Sequence, residues 1–258
     1  MSKTTEQGYV ILAINTPDVD YLDCARTLTK TIKMWDPDAS VCLITDHPDA
    51  NDPLYDHYRV IDRVDRDNPY ANDWQVFSHS PYRETIKLEA DMLITSCIDH
   101  WWDMFRHRDV VVSTGCRNWH DESSTARQYR RVFDINHLPD VYNAITYWRR
   151  SKTAQEFFTL VRDIFDHWEH YRRTIKFPEE VPSTDLVYAM AAAIIGPELV
   201  TMPFASYPKI VHMKRWHAKT SSEQWPQELV WEYNSKELRI QTQAQWGAFH
   251  YNVKEWRA

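Results

Sequence analysis

The stretch that decides the fold is Thr85-Ile-Lys-Leu-Glu-Ala-Asp-Met-Leu-Ile-Thr95, in which apolar residues surround two carboxylates. Side chains at positions i and i+2 of a strand point to the same face, so Glu89 and Asp91 are predicted to lie side by side at the end of a mostly buried strand. Two like charges at that distance repel each other unless a cation lies between them. A hard divalent ion, Mg2+ or Mn2+, suits such a pair and keeps open positions for substrate phosphates. The alternative is an ordinary strand end whose two acids simply face solvent.

The residues before this strand predict a short helix over Ser80–Thr85, with Ser80 as N-cap and Pro81 at the first helical position. A short helix, a buried strand and a paired-acid end resemble the metal-binding D-x-D element of GT-A-fold glycosyltransferases, which often reads P-Y-x-x-x-L-Y-L-D-A-D. Glu89 stands where most of that family has Asp. The resemblance therefore implies Asp91, together with Glu89, as ligands of Mn2+ or Mg2+.

The composition is that of a folded globular protein with a sizeable core. The chain has 258 residues, of which 43% are hydrophobic and 26% charged, and its formal charge is -7. This net negative charge argues against a protein that binds nucleic acid over its whole surface, but it does not exclude a local basic groove. Glycine occurs only at Gly8, Gly115, Gly196 and Gly247, so neither G-x-G-x-x-G nor a Walker loop can be written. A metal would have to hold any diphosphate instead.

The cysteines and the hydropathy pattern bear on the compartment. Cys24, Cys42, Cys97 and Cys116 show no C-x-x-C spacing and are expected to be reduced, buried thiols. No stretch of about 18 apolar residues occurs, and no apolar run precedes the first predicted strand. We therefore expect a cytoplasmic protein.

The first half of the chain alternates short apolar runs with a helical pattern. Strands are predicted at 9–14, 40–45, 59–64 and 109–114, and a helix at 19–34. This order predicts an α/β, doubly wound sheet whose ligands lie at the carboxyl ends of the strands. Residues after the first strand contact base and ribose in the family resembled, which implies donor binding by Asn15, Thr16 and, more loosely, Asp46. Helix capping or a turn is the alternative role for each.

A basic, aromatic segment over 116–131 lacks any apolar period, and loops of this kind are often functional. It is predicted to contact a phosphate-bearing acceptor; a solvated surface loop is the alternative. The candidate acceptor residues are Arg117, Trp119, Arg127, Arg130 and Arg131.

Two later segments extend the resemblance. The run at 138–148 resembles the F-N-A/S-G strand of family-8-like transferases, which implies donor contacts by Asn143 and Ala144, with Ile145 in place of the family's Gly. An amphipathic core helix is predicted at 151–171. The helix predicted from Pro182 to Ala193 resembles the D-Q/E-x-x-l helix and implies that Asp185 faces the sugar; a simple preference of acids for helix N-termini is the alternative.

The stretch Lys209–Lys219 predicts a strand that presents His212 and Lys214 on one face. It resembles the family motif H-F-x-G-x-x-K-P-W, without the Gly. The resemblance implies His212 as a third metal ligand and Lys214 or Lys219 as the contact to the diphosphate. The tail, 221–258, is expected to pack back on the domain with a helix over 227–233.

Together these segments predict a GT-A-like single domain, α/β, with a central, mostly parallel, doubly wound sheet flanked by helices. Residues 8–115 would form a nucleotide-sugar-binding half, 116–220 an acceptor and metal-completing half, and 221–258 the extension. The implied activity is metal-dependent transfer from a nucleotide sugar, with a UDP-sugar as the expected donor, to an acceptor hydroxyl. Asp185 would act on the acceptor, and Lys214 would stabilise the leaving group.

The acceptor and the reaction class leave alternatives. The chain resembles uncharacterised bacteriophage transferases, some relatives of which modify DNA, and this suggests a hydroxymethylated base in phage DNA as acceptor. A nucleotidyltransferase or a metal-dependent phosphohydrolase would use the same paired acids. A non-catalytic nucleotide-sugar-binding protein is the third interpretation, suggested by Glu89 and by the missing glycines.

Overall fold

The computed structural model describes residues 5–124, 130–202, 209–213, 224–234 and 237–251. The strands in this part of the chain are β1 (Thr5–Ala13), β2 (Val41–Thr45), β3 (His57–Val60), β4 (Tyr82–Glu89), β5 (Met92–Ile94), β6 (Val110–Thr114), β7 (Cys116–Arg117), β8 (Ser123–Ser124), β9 (Val141–Arg149), β10 (Ile210–Met213), β11 (Trp231–Tyr233), β12 (Leu238–Ile240), β13 (Gln243–Gln245) and β14 (Ala248–Tyr251). The helices are α1 (Tyr21–Trp35), α2 (Val76–His79), α3 (His100–Phe105), α4 (Arg130–Ile135), α5 (Lys152–Asp166), α6 (Trp168–Thr174), α7 (Thr184–Ile195), α8 (Pro197–Val200) and α9 (Trp225–Glu228), with a 3-10 helix over Pro69–Gln75.

The main sheet of the described residues has six strands in the order β3-β2-β1-β4-β9-β6. The first four are parallel to one another, whereas β9 runs antiparallel to both β4 and β6. Strand β1 lies between β2 and β4, so the carboxyl ends of β1 and β4 meet at one edge of the sheet. The predicted α/β class, with a central, mostly parallel sheet flanked by helices, is confirmed.

Alternation along β1 shows how the sheet acquires a core on both faces. Tyr9 and Ile11 pack into the layer that contains α1, whereas Val10 packs into the opposite layer with α5 and α7. All three are 2% exposed or less. A strand covered on both faces needs apolar residues at consecutive positions, which is why this run lacks a polar alternation.

A second sheet brings several later strands to the edge of the main sheet where β1 and β4 end. Its described strands lie in the order β5-β14-β10-β7-β8, with β14 parallel to β10 and antiparallel to β5. Strand β5 follows β4 after the short turn at Ala90 and Asp91. The pairing of β14 with β5 therefore brings residues from the end of the described chain beside the paired acids.

Two sequence predictions of secondary structure are wrong, and the predicted edge strand is shifted along the chain. No helix covers Ser80–Thr85, because β1 extends back to Thr5 and pairs there with Tyr82, which makes the segment from Tyr82 onward a strand. The edge strand over 59–64 is instead His57–Val60, pairing with β2. The tail helix over 227–233 ends at Glu228, and the following residues form β11 in a small antiparallel sheet with β12 and β13.

The strongest helix predictions are confirmed with small changes at the ends. Helix α1 begins two residues later than predicted, and α7 begins after Ser183, whose side chain accepts from the Leu186 amide. The helix predicted over 151–171 divides into α5 and α6 at His167. No helix in the described part of the chain is both long enough and apolar enough to cross a membrane.

Candidate metal centre and central cavity

Three side chains that suit a divalent cation meet where the two sheets join. Glu89 ends β4, Asp91 lies in the turn before β5, and His250 extends from β14. One ligand atom from each lies within 4.8 Å of the others. The His250 ring lies between the acids, with Nδ1 3.4 Å from a Glu89 oxygen and Nε2 3.1 Å from an Asp91 oxygen.

Strand pairing positions His250 in this cluster. In the antiparallel pair of β14 and β5, His250 is opposite Met92, and the next amide, of Tyr251, donates to the Asp91 carbonyl at 3.1 Å. The Tyr142 hydroxyl hydrogen-bonds His250 Nδ1. The imidazole is therefore held by backbone pairing on one strand and by a side chain from β9.

His212, the expected third ligand, lies next to the cluster and is separated from the two acids by the His250 ring. It is directly opposite His250 in the parallel pair of β10 and β14, and side chains in such a pair share a face of the sheet. The two imidazoles stack with centroids 4.7 Å apart, and the Tyr142 ring lies 4.9 Å from that of His212. Among the described residues, the cluster of close ligand atoms contains His250 and leaves out His212.

The electrostatics of the cluster favour a cation. Burial, with the neighbouring charges of Asp91 and Asp185, raises the pKa of Glu89 to about 7, although His250 and Lys87 act in the opposite direction. Glu89 keeps a quarter of its side chain exposed, so its carboxylate still borders open space. A carboxyl group held beside a second carboxylate is relieved by a positive ion between them. Two carboxylates and an imidazole are a donor set that suits Mn2+ and Mg2+.

A central cavity of about 540 Å3 opens over this cluster. The described residues that line it are Leu12, Ile14, Thr16, Tyr21, Pro69, Tyr70, Asp73, Lys87, Glu89, Ala90, Asp91, Tyr142, Ser183, Thr184, Asp185, His212 and His250. The cavity lies outside the carboxyl ends of β1 and β4, the position where open α/β sheets bind ligands. Its volume suits a small organic molecule.

A buried ion pair forms part of the cavity wall. The Lys87 ammonium lies 2.7 Å from Asp73, and the two side chains are only 2% and 9% exposed. Asp73 also accepts hydrogen bonds from the Tyr188 hydroxyl and, at 3.2 Å, from the Asn143 amide. Burial alone would lower the pKa of Lys87, but Asp73 and Glu89 outweigh it and raise that pKa. Lys87 thus adds a fixed positive charge close to the candidate metal centre.

Asp185, which is predicted to face the sugar, lies at the wall of the cavity. It belongs to the first turn of α7, and its carboxylate accepts from the Asn143 backbone amide at 2.7 Å. The side chain is partly exposed and lines the cavity. A carboxylate held in this way can orient a ligand hydroxyl.

The residues predicted to bind a donor take different places. Thr16 lines the cavity. Asn15 instead accepts from the Leu22 amide, in the first turn of α1, at 3.0 Å, and Asp46 pairs with Arg66 at 2.6 Å. Asn143 and Ala144 are fully buried, so they support the cavity from below rather than border it. Lys214 and Lys219 lie outside the described residues.

The predicted acceptor residues that the structure describes are Arg117, Trp119 and Arg131, and they differ in exposure. Trp119 is 2% exposed and packs in the core, so the expectation that it stacks on an acceptor base is corrected. Arg117 donates to the Asp121 carbonyl at 2.6 Å on β7, and Arg131 is exposed on α4. Arg127 and the side chain of Arg130 lie outside the described residues.

Lys87, Asp73, Tyr142 and His250 are site residues that the sequence predictions missed. A lone lysine inside the apolar run of β4 was a visible signal, since charged residues are rarely buried without a partner. A lone histidine in the apolar run of β14 was a weaker one. Neither signal identifies its partner without the three-dimensional pairing.

No family model matches the chain, and no curated protein sequence matches it. Solved structures do match. The galactosyltransferase LgtC in complex with donor and acceptor sugar analogs aligns with TM-score 0.55 and 9% identity over 95% of this chain and 87% of its own. Mouse xyloside xylosyltransferase 1 aligns with TM-score 0.53 and 8% identity over 96% and 98%, and the glycosyltransferase GlyE of Streptococcus pneumoniae TIGR4 with TM-score 0.50 and 9% identity over 77% and 45%. The chain therefore has the GT-A-type fold of these glycosyltransferases.

Proposed function

We propose that this protein is a metal-dependent glycosyltransferase that transfers a sugar from a nucleotide-sugar donor to an acceptor hydroxyl. The observation that carries the proposal is the Glu89–Asp91–His250 cluster at the wall of the central cavity. Its supporting context is a fold shared with glycosyltransferases. From the resemblance of the sequence, we also propose a relationship to family-8-like and bacteriophage transferases.

The roles of the residues follow from their charges and positions. Glu89, Asp91 and His250 would hold Mn2+ or Mg2+, which when bound supplies positive charge for the diphosphate of a leaving nucleotide. Lys87 contributes a second positive charge at the cavity wall. Asp185 orients the acceptor hydroxyl or takes its proton. Lys214 stays the proposed partner of the diphosphate.

For the donor we propose a UDP-sugar. Tyr70 is 53% exposed at the cavity, and Tyr21 and Thr16 line it as well. An exposed aromatic ring beside a hydroxyl provides a stacking surface and a hydrogen-bonding group for a base and ribose.

A hydroxymethylated base in DNA stays a proposal for the acceptor. Its remaining support among the described residues is the charge of Arg131, because Trp119 is buried and Arg117 pairs with Asp121 away from the central cavity. Binding of duplex DNA that weakens steeply with salt would support it. No binding at low salt would remove DNA from consideration.

Thermal denaturation with UDP, in the presence and absence of Mn2+, tests the proposal. We expect a stabilising shift that requires the metal and that disappears in the Asp91→Asn and His250→Ala variants. His107→Ala, at an exposed site, is the control and should behave as wild type. Loss of the shift in His212→Ala with its retention in His250→Ala would restore the sequence-based choice of ligand.

The same measurements separate the alternative functions. A UDP shift that is indifferent to metal indicates a non-catalytic binding protein. Incubation with UDP-sugars and with nucleoside triphosphates, followed by product analysis, distinguishes sugar transfer from a nucleotidyltransferase or a phosphohydrolase. Consumption of the triphosphate without any sugar transfer would contradict the proposed function.

A further inference from the structure

A second cavity, of about 330 Å3, lies at the opposite end of the five-stranded sheet from the metal centre. Strand β5 begins just after Asp91 and ends before Ser96, which lines this cavity. Strand β14 begins after Gly247, at the second cavity, and reaches His250 at the central one. The two cavities therefore lie at opposite ends of the same strands and share no lining residue.

Trp246 gives the second cavity an aromatic surface. It is 55% exposed, whereas every other tryptophan in the described residues is buried or half-buried. The Lys209 ammonium lies over the indole, 4.4 Å from the ring centroid. A large exposed aromatic side chain with a cation on one face leaves surface free for stacking a flat or ring-shaped ligand.

The turn that carries Trp246 is firmly held. Gly247 has φ +91°, and a Cβ at this position would lie 2.5 Å from the Lys209 carbonyl oxygen. Its amide donates to Ser96 Oγ at 2.9 Å, and its carbonyl accepts from the Thr95 amide at 2.9 Å. These bonds to Ser96 and Thr95 hold the backbone next to Trp246, so a ligand would not have to order a loose loop.

Charged groups surround this aromatic surface. Lys209, only 6% exposed, lies 2.9 Å from an Asp121 oxygen, and Arg117 lies 3.5 Å from the same oxygen. Asp121 occupies the left-handed region with φ +67°, a conformation that is uncommon outside glycine. Two cations that share one carboxylate leave a net positive charge at the cavity, which favours an anionic ligand.

We propose that the second cavity binds an acidic glycan. One sugar ring stacks on Trp246, and its carboxylate or phosphate accepts hydrogen bonds from Lys209 and Arg117, while Asp121 accepts from sugar hydroxyls. The cavity volume suits one or two sugar rings. The proposal needs neither donor nor metal, so it stands or falls independently of the proposed function.

Isothermal titration calorimetry of the whole protein, without UDP or metal, tests this site. The probes are a hyaluronan hexasaccharide, whose acidic sugars carry carboxylates, glucose 6-phosphate, neutral chitohexaose and a short DNA duplex. We expect hyaluronan or the sugar phosphate to bind and chitohexaose to bind at least about tenfold more weakly, because it cannot make the hydrogen bonds to the two cations that a charged group makes. Which acidic probe binds identifies the anion.

Substitutions then locate the binding. Trp246→Ala should weaken it about tenfold, the lower range of measured aromatic stacking, whereas Trp246→Phe should recover most of the affinity. Arg117→Gln should also weaken it, and the exposed Leu199→Ala and Lys152→Gln variants are the controls. Trp246→Ala should keep the wild-type circular dichroism spectrum, which shows that the protein is folded.

Three results would overturn the proposal. The first is that neither acidic sugar probe binds the wild type. The second is that Trp246→Ala binds the acidic probe as tightly as wild type does. The third is that duplex DNA binds more tightly than either sugar and loses affinity in Trp246→Ala, which would assign the cavity to nucleic acid instead.

Discussion

Removing one partner of the buried Lys87–Asp73 pair should destabilise the protein severely. The two side chains are 2% and 9% exposed and lie 2.7 Å apart, so either charge left alone would lack both water and its counter-ion. Breaking such a pair costs about 3–5 kcal/mol. A chain of this size loses about 2–4 °C of Tm per kcal/mol, so we expect a decrease of about 6–20 °C in Asp73→Asn and in Lys87→Met.

The double variant Lys87→Met with Asp73→Asn should be less damaged than the sum of the two single variants. It removes both charges at once, while the side-chain amide introduced by Asp73→Asn can still accept from the Tyr188 hydroxyl that bonds the native carboxylate. Neutral replacement of a buried pair is often nearly neutral in stability, so we expect a favourable coupling of at least about 1 kcal/mol.

Equilibrium urea unfolding, followed by circular dichroism in the presence of EDTA, measures all four proteins without a contribution from bound metal. The exposed pair of Lys152 and Glu156, at 3.4 Å, provides the control. Lys152→Met should cost no more than about 0.5 kcal/mol, because exposed ion pairs on a helix contribute little. A cost below about 1 kcal/mol for Asp73→Asn, or strict additivity in the cycle, would refute this account of the pair.

Further predictions concern the thiols, one carboxylate and one glycine. Cys97 is exposed, contrary to the expectation that all four thiols are buried, whereas burial raises the pKa of Cys42 to about 12. Iodoacetamide should therefore label Cys97 first and leave Cys42 protected in the native protein, as peptide mass spectrometry will show; equal labelling of the two thiols would contradict this. Burial alone would raise the pKa of Asp56, but hydrogen bonds from Lys33 and from a backbone amide outweigh it and hold that pKa below its ordinary value. Asp56→Asn should therefore cost stability at pH 7, and the difference in urea midpoint from wild type should shrink as pH falls below about 4; a constant difference would argue against it. Gly247→Ala places a methyl group 2.5 Å from a backbone oxygen at φ +91° and should cost about 1–3 kcal/mol in the same assay, with an unchanged midpoint as the contrary result.

The sequence predicted correctly those parts of the fold that depend on residues close to one another in the chain. The apolar run of β1 and the amphipathic pattern of α5 each specify their own burial. The helix predicted over Ser80–Thr85 does not form. Its N-cap signal is also a local one, but the pairing of β4 with β1 outweighs it. Where local and long-range preferences conflict, tertiary pairing decides.

The candidate site was predicted only in the part that one segment supplies. Glu89 and Asp91 are two residues apart, so the chain itself keeps them close, although Asp91 lies in the turn after β4 and not within the predicted strand. His250 joins them through the pairing of β14 with β5, and nothing in its own neighbourhood specifies that partner. His212 was a reasonable prediction because it lies directly beside His250 on the next strand. The sequence did not identify Lys87 as a site residue, because its burial depends on the ion pair with Asp73, which lies on a separate helix.

The insertion of β14 between β5 and β10 has a consequence for the order in which the protein assembles. All strands of the six-stranded sheet lie within residues 5–149, so this sheet can pair on the ribosome while β14 has yet to be synthesised. Until β14 arrives, the edges of β5 and β10 that it will occupy stay unpaired, and the two acids lack their imidazole. We therefore expect the protein to bind a cation only late in biosynthesis, after β14 has paired with β5 and β10.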